Sequence, residues 1–152
     1  MNVRPLFLLT IAAVILLSGW CGTASALTAN SWQTTVADYE QILARAKEQN
    51  KPFLLYFYVN WCGYCKQFSS ALLQNSAVEQ MIASYFRVKI NPENGEKENL
   101  LAMQYGVGGY PYFLVVRPSG ERIRIHPFRQ GGSIWSAEEF ITRLKAVLEP
   151  KD

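Results

Sequence analysis

The sequence predicts an α/β domain: one mixed β-sheet at the centre, with helices on both faces. Three observations predict it. Short apolar runs of strand length alternate with stretches of helical periodicity. The last two strand-like runs, Tyr112 to Val116 and Glu121 to Ile125, are joined by Pro118-Ser119-Gly120 and read as an antiparallel hairpin. Apolar residues make up 49% of the chain and aromatics 13%, enough for one core in a single domain.

The elements follow in order. Val36, Tyr39, Ile42, Leu43 and Ala46 recur at helical steps, so Val36 to Gln49 is predicted helical. Thr34 or Thr35 caps its start, and Asn50 with Pro52 ends it. Phe53 to Val59 is apolar and aromatic, too short for a helix, and suits a buried central strand. Asn60-Trp61 breaks it. Cys65 to Leu73 reads as a helix with Phe68, Leu72 and Leu73 inward, ended by Asn75. Ser76 and Glu79 have capping-box spacing for a short helix through Ser84. Phe86 to Ile90 is a strand, and Asn91-Pro92-Glu93-Asn94-Gly95 a turn-rich loop. Glu96 to Tyr105 is a helix closed by Gly106. After the hairpin, Gly131-Gly132 makes a flexible joint. Ser136 and Glu139 then open an amphipathic helix to Leu148, with Phe140, Ile141, Leu144 and Leu148 on one side.

The first 26 residues have the order of a secretory signal: Met1 to Arg4, an apolar run from Leu6 to Leu17, then small residues ending Ala24-Ser25-Ala26. Cleavage after Ala26 leaves one domain, 27–152, in the periplasm or otherwise secreted. The competing reading is a membrane anchor, but the apolar run is short of the roughly 20 residues that span a bilayer. A third reading, lipidation at Cys21, conflicts with the bulky Trp20 before it.

The formal net charge is +3, which gives no sign of a nucleic-acid surface. Arg122 and Arg124 alternate with Ile123 and Ile125, the pattern of the wet face of a half-buried strand rather than of an anion site.

Without the signal the chain keeps two cysteines, Cys62 and Cys65. So close a pair closes almost no loop and constrains the unfolded chain little, so its value lies in chemistry. A dithiol exchanger needs a thiolate and a second thiol within reach. A helix N-terminus supplies the first through its unpaired N–H groups and dipole. One helical turn supplies the second, and Gly63 relaxes it. Cys62 at the strand–helix junction would attack a substrate disulfide, and Cys65, a turn inside, would resolve the mixed disulfide. Zinc is the alternative for a CxxC, but with His126 as the single histidine the ligands fall short of four, so no metal is expected. No cofactor is expected beyond the Cys62–Cys65 disulfide itself.

Three separated stretches, Trp61-Cys62-Gly63-Tyr64-Cys65-Lys66, Val88-Lys89-Ile90-Asn91 and Tyr105 to Pro111, make the sequence resemble the thioredoxin family from about Val36 to Leu148. Within it the chain is most similar to secreted bacterial thioredoxin-related proteins, including the C-terminal domain of transmembrane electron-relay reductases. The resemblance implies a thioredoxin-like fold and a cis Tyr110–Pro111 bond beside the dithiol. It also implies that Trp61, Gly63, Tyr64, Tyr110 and Pro111 contact substrate. Two departures stand out. Tyr64 replaces the proline between the cysteines of thioredoxins; the same Cys-Gly-Tyr-Cys occurs in periplasmic disulfide isomerases, which leaves the direction of electron flow open. Tyr56 replaces the buried acid six residues before the first cysteine, and a tyrosine with a pKa of about 10 is a poor base at neutral pH. Water or Lys89, which matches a family lysine, is then left to assist Cys65.

The expected activity is thiol–disulfide exchange on protein disulfides outside the cytoplasm, reducing or reshuffling them. A reductant in an oxidising compartment needs electrons, so a membrane reductase partner is implied. With no dimerisation extension visible, a monomer is expected. The alternative is a non-catalytic binding or chaperone module that keeps the fold, which would have no need of both sulfurs.

Overall fold

A computed structural model describes residues 31–149 of the chain. The signal segment and Cys21 lie outside the described residues. Five strands and five helices follow one another as β1 (Trp32–Gln33), α1 (Val36–Glu48), β2 (Phe53–Phe57), α2 (Gly63–Phe68), α3 (Ser76–Ile82), β3 (Arg87–Ile90), α4 (Glu96–Gln104), β4 (Tyr112–Val116), β5 (Arg122–Arg124) and α5 (Ala137–Leu148). The sheet order is β1-β3-β2-β4-β5. β3 runs parallel to β1 and β2, while β4 is antiparallel to both β2 and β5.

All five residues of β2 are buried, as its unbroken apolar run requires of a strand covered on both faces. Alternate side chains enter two cores. Phe53, Leu55 and Phe57 meet Tyr39, Ile42 and Leu101 from α1 and α4. Leu54 and Tyr56 meet Phe68 of α2, Leu72 of the turn that follows it, Val78 of α3, and Phe140 and Leu144 of α5. Strand period and helix period therefore agree on which side chains face inward.

Several boundaries depart from the sequence expectation. β2 stops at Phe57 instead of Val59, although the Tyr58 N–H still donates to Ile90 at 3.1 Å. The dithiol helix opens at Gly63, with Cys62 as its N-cap, and its last turn, Ser69–Leu73, is a π turn. There the Gln74 N–H reaches the Ser69 carbonyl at 2.9 Å. Thr35, and not Thr34, caps α1 in a capping box with Asp38. The Ser136–Glu139 box forms. The expected Ser76–Glu79 box does not: Asn75 has the extended backbone of an N-cap, and its Oδ1 accepts from the N–H groups of Ala77 and Val78. Ser76 becomes the first helical residue. Asn91 similarly opens a short 3₁₀ turn, Pro92–Asn94, inside the loop. Arg122 and Arg124 are exposed, with their guanidinium groups over the rings of Tyr105 and Tyr112 at 4.0 and 4.1 Å.

The capping geometry gives a direct test. Asn75→Ala should lower unfolding stability by about 1 kcal/mol in urea denaturation, against less than about 0.5 for Ser76→Ala. Equal losses would show that Asn75 does not carry the cap.

Candidate active site

The dithiol sits where β2 hands over to α2. Beyond Phe57 the chain turns at Asn60-Trp61, and the Cys62 N–H donates back to the Val59 carbonyl at 3.2 Å. That turn sets Cys62 at the head of the helix. Its Sγ accepts the backbone N–H of Cys65 at 3.0 Å, a donor that helical geometry leaves without a backbone partner. Cys62 and Cys65 form a disulfide, with Cα atoms 5.2 Å apart. Both cysteines are buried, Cys62 at 6% exposure and Cys65 at 2%, and of the two Cys62 is the one that borders open space.

An open groove runs past Cys62, with Trp61–Tyr64 on one side and Val107–Tyr110 on the other. The Tyr110–Pro111 peptide is cis, Pro111 is buried, and Tyr110 packs against the cluster of Val59, Cys62 and Cys65. Trp61 is 70% exposed and Tyr64 57%. Both are braced from elsewhere in the chain. Trp61 Nε1 donates to Glu93 Oε1 at 2.8 Å. Tyr64 meets the ring of Phe128 edge-on, centroids 5.1 Å apart. Burial, and then the Glu93 carboxylate, raise the Tyr110 phenol above its ordinary pKa. Sequence reasoning found neither Glu93 nor Phe128, because the first lay in a turn-rich loop and the second in a segment without periodicity.

Tyr56 lies beneath the dithiol helix, enclosed by the rings of Trp32, Tyr58, Phe68 and Phe113. Its hydroxyl donates to the Cys65 carbonyl at 3.5 Å. Burial pushes its pKa up to about 12, so at neutral pH it is a neutral O–H group. Lys89 stands in register with Tyr56 on β3, and its Nζ lies 5.9 Å from the centroid of the Tyr58 ring. His126 is exposed; partial burial and Arg124 lower its pKa, and its carbonyl accepts from Trp135. Among the described residues, no group of three or more His, Cys, Asp or Glu is placed to hold a metal ion.

A cysteine that lines a groove at a helix start, with a second one a turn inside, is useful for passing a disulfide between molecules. Fold and site thus define the class, a thioredoxin-fold dithiol protein. The chain belongs to the thioredoxin-like domain family, whose model matches residues 39–148. The thiol:disulfide interchange protein DsbD 1 of Pseudomonas aeruginosa is 33% identical over 98 residues, 62% of this chain and 16% of that protein. The chain therefore spans about a sixth of that relative's length. The disulfide bond reductase DsbH of Chlamydia pneumoniae is 23% identical over 121 residues, 73% of this chain and 70% of that protein. Among solved structures, the oxidised C-terminal domain of Neisseria meningitidis DsbD superposes with a TM-score of 0.62 at 24% identity, covering 76% of this chain and 98% of that one.

Tyr56 makes the stability at high pH predictable. Its phenol ionises near 10 in the unfolded chain and near 12 in the folded one. The stability that it contributes is complete below pH 10 and is lost as the pH rises toward 12. The urea midpoint of the wild type, measured relative to Tyr56→Phe, should fall across that window. A difference that stays constant would mean that Tyr56 is not desolvated.

Proposed function

We propose that this chain is an extracytoplasmic thiol–disulfide oxidoreductase that reduces or reshuffles protein disulfides. The observation that carries the proposal is the asymmetry of the pair: Cys62 opens the helix beside the groove, and Cys65 is buried one turn inside. In the reduced form the Cys62 thiolate attacks one sulfur of a substrate disulfide. That bond breaks, a mixed disulfide forms, and the first substrate sulfur leaves as a thiolate that takes up a proton. Cys65, deprotonated, then attacks Cys62 Sγ and releases the second substrate sulfur. Two electrons pass to the substrate, and the chain is left with the Cys62–Cys65 disulfide.

The helix N-terminus and the Cys65 N–H supply the stabilisation that the Cys62 thiolate needs. Tyr56, neutral and bonded to a carbonyl, is unsuited to accept the Cys65 proton, which leaves water or Lys89 for that task. Trp61, Gly63, Tyr64, Tyr110 and Pro111 make the substrate contact surface. Repeated turnover needs an electron donor, and in an oxidising compartment a membrane reductase is the partner that this reading requires. The signal-like segment before Leu27 supports a periplasmic or otherwise secreted protein.

Cys62→Ser should abolish reduction of insulin disulfides by dithiothreitol-fed protein. Cys65→Ser should accumulate mixed disulfides on Cys62, seen as slow bands on non-reducing gels that collapse with reductant. The reverse pattern, partners trapped by Cys62→Ser alone, would exchange the attacking and resolving roles. For export, protein recovered from the envelope should begin near Leu27 on N-terminal sequencing; an intact Met1 on cytoplasmic protein would remove the compartment from the proposal.

A further inference from the structure

The segment between β5 and α5 is built as a small hairpin beside the dithiol. Phe128 and Ile134 form an antiparallel bridge. The Trp135 N–H donates to the Pro127 carbonyl at 3.1 Å, and the Arg129 N–H to the Ser133 carbonyl at 2.8 Å. The Gly132 N–H closes the turn on the Arg129 carbonyl at 3.0 Å. Gly131 and Gly132 take φ values of 96° and 88°, in the left-handed region that glycine adopts without steric cost. The expected flexible joint is thus an ordered turn.

The base of this hairpin is fastened without any help from the cysteines. Trp135 Nε1 donates to the His126 carbonyl at 3.1 Å. The guanidinium groups of Arg129 and Arg143 lie 4.3 and 3.8 Å from the centroid of its ring. Arg129 also donates to Glu139 at 2.6 Å, the same carboxylate that closes the capping box of α5.

Tyr64, the residue between the cysteines, leans on this fastened hairpin. Its ring meets Phe128 at 78°, edge to face. A methyl group at Gly132 would just reach Tyr64 Oη, at 4.0 Å, so the turn lies beside the phenol. Tyr64 nonetheless lines the groove opposite Val107–Tyr110. A long side chain left free on a helix surface loses rotamer freedom when a partner packs on it, and holding it beforehand removes that cost.

We propose that Phe128 is a positioning residue for substrate binding: it fixes Tyr64 as a standing wall of the groove, so that the β5–α5 hairpin tunes which protein disulfides dock on Cys62. This rests on the oxidoreductase reading above. The bound class is a disulfide-bearing polypeptide whose residues next to the cysteine pack against an aromatic wall.

Phe128→Ala should raise the KM for insulin about three- to tenfold, the range that one lost aromatic contact supports, with the larger part of the effect in KM rather than in kcat. In a Tyr64→Ala background the same substitution should add less than about twofold, because its route of action is gone. Phe128→Tyr should restore the wild-type KM. Equal costs in the two backgrounds, or a loss confined to kcat, would overturn the proposal and leave the oxidoreductase reading standing. Thermal melts report folding of each variant. Phe128→Leu, which keeps the bulk and loses the ring, replaces Phe128→Ala if the latter fails to fold. A readout without turnover is the NMR shift of the Tyr64 ring protons, which Phe128→Leu should move; unmoved resonances would overturn the contact itself. Absence of disulfide reduction by the wild type would instead sink the oxidoreductase reading.

Discussion

The ring of Phe68 ties the dithiol to the rest of the molecule. It is fully buried and meets Tyr56 of β2, Phe113 of β4 and Phe140 of α5, with centroids 5.3, 5.4 and 5.6 Å away. Burying such a ring is worth about 2–3 kcal/mol, and each edge-on contact adds about 1 more. Phe68 lies one turn after Cys65 on the same helix, so the anchor that docks α2 on the sheet also fixes how far its first turn reaches beyond it. Phe113 and Phe140 touch each other as well, closing the cluster across two layers. The backbone that the cysteines share with Phe68 is thus held from below, and the bonds to Val59 and Tyr56 hold it at the cysteines themselves.

Tyr56 gives the same junction its electrostatic character. Where it stands, directly under the helix, an ionised acid would place negative charge in a site of low dielectric. A phenol pushed to about 12 places none. Stabilisation of a Cys62 thiolate then falls to backbone N–H groups at the helix start, among them that of Cys65 at 3.0 Å. Glu93 is kept on the groove rim by its bond to Trp61, where water screens it.

What was legible in the sequence was whatever depends on neighbours in the chain. The periodic helices α1 and α5, the run that became β2, the terminal hairpin and the close cysteine pair are local patterns with local causes. The Ser136–Glu139 box was legible for the same reason. Ser76–Glu79 had the same spacing and misled, because Asn75 stood one residue earlier with a side chain better placed to reach the free N–H groups. β1 has two residues, too few to carry any period, and exists because Trp32 and Gln33 lie beside Arg87 and Val88. The π turn after Phe68 left no trace in composition. Glu93 and Phe128 act on residues 32 and 64 positions away, and no window along the chain contains both partners.

That last failure says something about how the site is divided. The sulfurs are set by short-range geometry: a strand end, a turn and an N-cap. The aromatic residues flanking them are set by two remote elements, the 3₁₀ turn through Glu93 and the hairpin through Phe128. Neither remote element contacts the Cys62–Cys65 backbone through the bonds that orient Trp61 and Tyr64. Substitution in either can therefore reshape the groove while the N-cap geometry of Cys62 stays as it is. In a chain whose reactive atoms are two sulfurs three residues apart, little can vary at the chemistry itself. On the proposed function, the room for distinguishing one partner from another lies in these walls, and they are braced independently of each other.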